Sequence, residues 1–281
     1  MSDLTLLLDN LTFPEGPRWH DGRLWFSDFY SHSVMAVDLN SKAEIICTVP
    51  NQPSGLGWLP DGRLLVVSMQ DRKVLRLDPS GLVAHADITG HSHSWCNDMT
   101  VDGNGRAYVG NFGFNYREGE EARKTMVARV DPDGSVKLAA DDFFFPNGIA
   151  ITPDDKTIVI AESWARKLTA FDKASDGTLS NRRTWAEGGD NWVPDGICMD
   201  DQGAVWIADP IKKQVLRIRD GGEIVQKVDT GGRGAYAVAL GGPDRKTLFV
   251  CTNIYSNKDH AKNPSGKIEI TRVDTAGAGW P

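Results

Sequence analysis

The chain has no apolar run long enough to span a bilayer as a helix. It has only four cysteines, Cys47, Cys96, Cys198 and Cys251, far apart and with no C-x-x-C pair. That leaves free buried thiols in a reducing compartment as the default. No block of like charges marks a tail, and a net charge of −7 with mixed signs offers phosphates no basic face. Neither nucleic acid nor membrane is an expected partner. The opening "MSDLTLLLDNLTF" lacks a basic n-region and does not read as a signal peptide, so a cytoplasmic location is expected. Helical periodicity is nearly missing, and so is the G-x-S-x-G elbow of serine hydrolases.

What the sequence has is repetition. A turn followed by a short apolar strand recurs six times: "HDGRLWFSD", "LPDGRLLVVSM", "VDGNGRAYVGN", "TPDDKTIVIAES", "MDDQGAVWIAD" and "GPDRKTLFVCTN". The turn aspartates Asp21, Asp61, Asp102, Asp154, Asp200 and Asp244 are 40, 41, 52, 46 and 44 residues apart. Asp-Gly and Pro-Asp are hairpin-turn signals, because Gly takes positive φ freely and Pro presets the first turn residue. A third strand of period-2 alternation follows each hairpin, and a fourth follows five of them. The missing fourth strand of the last repeat is supplied by "LTLLLDN", residues 4 to 10. Four antiparallel strands repeated six times predict an all-β, six-bladed β-propeller. It takes residues 1–281 as a single domain, its ring closed by the N-terminal strand. The segment "REGEEARKTM" is expected to lengthen a loop of the third blade, which accounts for the widest spacing.

The first strand of each blade should line the central channel. Those strands begin at Glu15, Ser54, Asn97, Asn147, Asp195 and, less regularly, Ala237. Four of the six carry side-chain oxygens that suit a cation. One Asn-Gly or Asp-Gly alone would read as a turn or strand cap. Four at equivalent repeat positions would meet at one channel mouth, where a divalent cation relieves their mutual repulsion. Oxygen donors select a hard ion: calcium first, with magnesium, manganese and zinc as alternatives.

At these residues the sequence resembles the gluconolactonase/senescence-marker-protein (regucalcin) family. The resemblance runs from "EGPRW" to the terminal "AGAGWP". It rests on E-G-P-x-W, on N-D in the third blade, on P-N-G-I-A with a following P-D, and on P-D-G with a following D-x-x-G-x-x-W. It implies a six-bladed propeller with one divalent metal that hydrolyses sugar-acid lactones. The implied metal ligands are Glu15, Asn147 and Asp195, and the implied metal- and substrate-proximal amide is Asn97. One departure stands out. Sugar-acid lactonases of the family carry Arg two residues before that Asn, where it contacts substrate hydroxyls; here it is Trp95. An aromatic ring cannot supply a guanidinium's forked donors. A lactone or other ester less polar than a sugar-acid lactone is therefore expected. Trp95, His93, Trp19, Tyr236 and Asn97 are candidate substrate contacts, with Phe29, Tyr30, Phe112, Trp164 and Trp192 also placed near strand ends or top loops. Trp58 and Trp206 read as packing between blades.

The expected reaction polarises the carbonyl and adds water, with Asn97 steadying the oxyanion. Asp195 is the expected general base as well as a ligand, with Glu15 as the alternative. His91 and His93 read as a polar rim, with a zinc pair or proton shuttle as the sharper alternative. Cys96 is expected to be packed. The competing functions are a calcium-dependent phosphotriesterase of the phosphofluoridase type, a metal-free binding platform, and a strictosidine-synthase-like condensing enzyme. The chain is expected to be a monomer or small homo-oligomer.

Overall fold

The computed structural model describes residues 4–115, 118–254 and 259–279. Six four-stranded antiparallel sheets follow one another around a ring. The inner strands, one per blade, are Pro14–His20, Pro53–Trp58, Cys96–Val101, Pro146–Ile151, Ile197–Met199 and Gly234–Gly241. Each blade then runs outward strand by strand, except the sixth. There the outermost strand is the N-terminal Thr5–Leu11, which pairs antiparallel with Gly266–Arg272, joining Thr5 to Ile270 and Leu11 to Gly266. The two ends of the chain thus close the ring through backbone hydrogen bonds. The segment around residues 118–124 connects the second and third strands of blade 3 as a loop; Arg117, which begins the predicted insertion, lies outside the described residues.

The repeated aspartates explain themselves at the turns. Asp21 and Gly22 both take positive φ, +48° and +74°, between the paired His20 and Arg23, which gives the twist a two-residue hairpin needs. The other five each accept the backbone N–H two residues on: Arg63, Asn104, Lys156, Gln202 and Lys246. These local bonds fix each turn from within.

Packing lies between blades. The layer between the first two holds Val34, Leu56, Trp58, Leu64 and Val66; that between the last two holds Trp206, Val215, Val238 and Leu248. Trp58 and Trp206 are core residues. The inner strands come closer together than side chains allow. The Gly148 N–H donates to Asp195 C=O (3.2 Å), and the Gly196 N–H to Tyr236 C=O (2.8 Å), joining blades 4, 5 and 6 directly around the axis. A Cβ on Gly148 would lie 2.4 Å from the backbone nitrogen of Ile197, and one on Gly55 would lie 2.1 Å from that of Met99. The glycines that follow Ser54, Asn147 and Asp195 are a requirement of this close approach.

Candidate active site at the channel mouth

Five of the six inner strands carry a register irregularity just after their first residues. It falls between Glu15 and Arg18, Pro53 and Leu56, Cys96 and Met99, Pro146 and Ile149, and Ala235 and Ala237. In blade 5 the ladder starts only at Ile197, after Asp195. A bulge turns a side chain out of strict alternation. Here it turns the first polar side chain of blades 1, 3 and 4 to the same place as Asp195.

Glu15, Asn97, Asn147 and Asp195, from four blades, line one cavity of about 310 Å3. Asn147 Nδ2 donates to Asp195 Oδ1 (2.5 Å) and to Ser163 Oγ (3.1 Å), while Ser163 Oγ–H donates to Pro194 C=O (2.7 Å). Both amide protons of Asn147 are thereby used, and its carbonyl oxygen is held by their orientation. Beneath the site, Arg18 Nη2 reaches from blade 1 to Asp98 Oδ1 (2.8 Å) and to Met99 C=O on blade 3.

The electrostatics are strained. Burial holds the Glu15 carboxyl well above the usual range, and repulsion from Asp195 and Asp98 adds to it against the Gly16 N–H and Arg18. Burial likewise pushes Asp195 up to about 8; the Asn147 bond opposes this, and Asp98 and Asp209 reinforce it. Two carboxylates that resist ionisation beside two amides are a donor set that a divalent cation would complete. Glu15, Asn147 and Asp195 fit that role, with Asn97 alongside. Among the described residues, no three His, Cys, Asp or Glu side chains gather as a metal cluster. The set is mixed, two carboxylates with amide oxygens.

Above this floor the walls are aromatic. One side has Phe112, Phe145 and Trp164 as a run of stacked rings, 4.7 and 5.4 Å between centroids. The other gathers Phe13, Phe29, Tyr30, Tyr236 and His260, with Phe13 edge-on to Tyr236 at 4.6 Å and Tyr30 stacked on His260 at 5.3 Å. Val193, Pro194, Pro210 and Ile211 complete the lining; among its described residues none is Lys or Arg.

Tyr236 is thus in the cavity, as are Phe29, Tyr30, Phe112 and Trp164. Four other residues expected near the pocket are placed elsewhere. Trp19 sits past the bulge, stacked on Phe249 (5.4 Å) and pressed on Gly241, among residues of a second, smaller cavity with Arg18 and Arg245. His93 and Trp95 line a separate depression with Gln70, Arg72 and Glu120; Trp95 packs on the aromatic cluster of the wall, 6.5 Å from Phe112. Trp192 is buried under Gly188 in the core between blades 4 and 5. Cys96 is fully buried, and burial pushes its thiol up to about 12, so it is no nucleophile. Sequence reasoning missed Phe13, Phe145, Ser163, His260 and the Arg18–Asp98 pair. Phe13 and Phe145 had a signal: each stands two residues before the site residue in the repeated "FPEG" and "FPNG".

Fold and cavity together define a class, the propellers whose blades converge oxygen donors on one mouth of the channel. The chain belongs to the SMP-30/gluconolactonase/LRE-like family, whose model matches residues 13–254. It is 28% identical over 277 residues to the 6-deoxy-6-sulfogluconolactonase of Pseudomonas putida, which covers 95% of this chain and 93% of that one. It is 26% identical over 258 residues to the regucalcin of Danio rerio, covering 87% and 84%. Among solved structures, a calcium-binding protein, regucalcin, of Agrobacterium tumefaciens matches with a TM-score of 0.82 at 20% identity, covering 98% of this chain and 95% of that one. A gluconolactonase of Xanthomonas campestris matches at 0.77 and 24% identity, covering 96% and 89%. At these identities the superpositions establish the shared fold. Among the described residues, no helix is long and apolar enough to cross a membrane.

Proposed function

We propose that the chain is a divalent-cation-dependent lactonase acting on lactones less polar than those of sugar acids. The observation that carries this reading is the meeting of Glu15, Asn147 and Asp195 at the floor of an aromatic cavity. Curated relatives named as lactonases support the reaction type. Glu15, Asn147 and Asp195 would hold the cation, with calcium preferred for an all-oxygen set. When bound, the cation supplies Lewis-acid polarisation of the ester carbonyl.

The chain's own residues do the rest. Asn147 holds Asp195 Oδ1, which leaves Oδ2 to take the proton from the attacking water. The Asn97 amide borders the same space and donates to the carbonyl oxygen that gains charge as water adds to the carbonyl carbon, before the ring C–O bond breaks. The aromatic walls take the substituent of the lactone and keep bulk water away. Among the described residues the lining holds no guanidinium or ammonium, and beside those a polyhydroxylated or anionic substituent would lose its water without a charged partner.

The test is a hydrolysis screen on chelator-stripped protein, with sugar-derived, alkyl and aromatic γ- and δ-lactones and each divalent metal restored in turn. Metal-restored opening of alkyl or aromatic lactones, lost in Asp195→Ala, is the expected result. Faster opening of gluconolactone than of any alkyl lactone would overturn the substrate reading. Inactivity on every lactone, with no metal bound, would overturn the whole.

A further inference from the structure

A guanidinium is an odd neighbour for a cation site. Arg18 is buried, on the same inner strand as Glu15 and three residues beyond it. Its charge acts on Glu15, so it lies within electrostatic reach of the site. Left alone, it would repel the ion that Glu15 and Asp195 hold. It is not alone. Its Nη2 donates to Asp98 Oδ1 at 2.8 Å, and both side chains are only 7% exposed. The backbone N–H of Met99 donates to the same oxygen at 2.9 Å, so Asp98 is pinned from two sides. Asp98 in turn acts on both Glu15 and Asp195.

Asp98 also breaks the repeat. The residue after the site position is glycine in blades 1, 2, 4 and 5, at Gly16, Gly55, Gly148 and Gly196; in blade 3 it is Asp98. The guanidinium links blades 1 and 3, and Arg18 lines the smaller cavity. The pair carries no net charge, so the guanidinium does not stand uncompensated beneath the site.

We propose that Asp98 sets the cation affinity of the site by cancelling the charge of Arg18, without itself ligating the ion. This rests on the proposed cation site, and it deepens that reading by assigning a tuning pair beneath the ligands. It predicts opposite signs for two neighbouring substitutions. Asp98→Asn leaves a bare guanidinium under the ion and weakens binding. Arg18→Met leaves a bare carboxylate and strengthens it. An uncompensated unit charge this close to a divalent ion is expected to change affinity by about tenfold or more in each direction. The double variant is neutral again and returns to near the parent affinity.

The experiment is calorimetric titration of calcium chloride into chelator-stripped protein for the parent, both single variants and the double variant, with circular dichroism to verify the fold. Weaker, stronger and restored binding, in that order, is the expected pattern. If Asp98 ligates the ion directly, the double variant stays as weak as Asp98→Asn, and the proposal fails. If the pair is only mechanical, all three variants bind more weakly, and it fails again. A parent protein that binds no calcium or other divalent ion overturns the cation site itself, which separates that failure from this one.

Discussion

Replacing Gly148 by Ala tests whether the close approach of inner strands builds the site. The added Cβ would stand 2.4 Å from Ile197 N, 2.7 Å from Asp195 O and 2.9 Å from Gly196 C. All three are backbone atoms, so no side chain can swing aside. Blades 4 and 5 must part by about 1 Å to restore van der Waals contact. The Gly148 N–H to Asp195 C=O bond, already 3.2 Å, is lost with that movement. A lost hydrogen bond costs about 1 kcal/mol and overpacking about 1–3 kcal/mol, so the variant should lose about 2–4 kcal/mol of stability. The same movement separates Asn147 from Asp195, so calcium affinity and lactone hydrolysis should drop further than the melting temperature alone would imply. Gly22→Ala is the control. That glycine has φ of +74° and an added methyl would meet nothing within 4 Å, so the change carries only local backbone strain of about 1 kcal/mol and no effect on the site. Urea unfolding and calcium titration on both variants decide the matter. A Gly148→Ala protein within about 0.5 kcal/mol of the parent and with parental calcium affinity would refute the argument.

Two further outcomes are expected. Asp195 is pushed up to about 8 and Glu15 is also raised, so the cation-free fold holds protons that the unfolded chain releases near pH 4. The stability these two carboxyls contribute is fully present below that pH and is lost as pH rises toward 8; scanning calorimetry of chelator-treated protein between pH 5 and 8 should show this fall, and saturating calcium should remove most of it. A melting temperature that stays flat or rises between pH 5 and 8 without calcium would contradict the burial of these carboxyls. Trp164 is 51% exposed at the mouth and stacked on Phe145. Trp164→Ala should raise KM for an aromatic lactone about fivefold, the worth of one ring contact, with little change in kcat or melting temperature. An unchanged KM would show that this wall does not meet the substrate.

The blades were legible because each hairpin carries its own punctuation, an aspartate at the turn whose carboxylate, in five of the six, accepts the backbone N–H two residues on. The meeting of Glu15, Asn97, Asn147 and Asp195 was legible because they hold one position in a repeat, and a ring puts equal positions at equal heights. Trp19 shows where that reasoning stops. It is four residues from Glu15 on the same strand, yet it lies on the far side of a bulge and at the other end of the channel. Counting alternation through an unseen bulge is off by one residue, and one residue exchanges the faces of a strand. The aromatic wall was half legible for the opposite reason. Phe13, Phe145 and Val193 stand two residues before their site residues, ahead of every bulge, where the repeat still counts true, and all three line the cavity. Trp95 holds the same repeat position but lines a neighbouring depression while packing on the same aromatic cluster. His260 has no counterpart in the repeat, since it comes from the connection between the second and third strands of blade 6. Position within the repeat therefore assigns the floor of the site, where backbone hydrogen bonds hold blade to blade. It loses that power in the connecting loops, which are also where the side chains that choose a substrate reside.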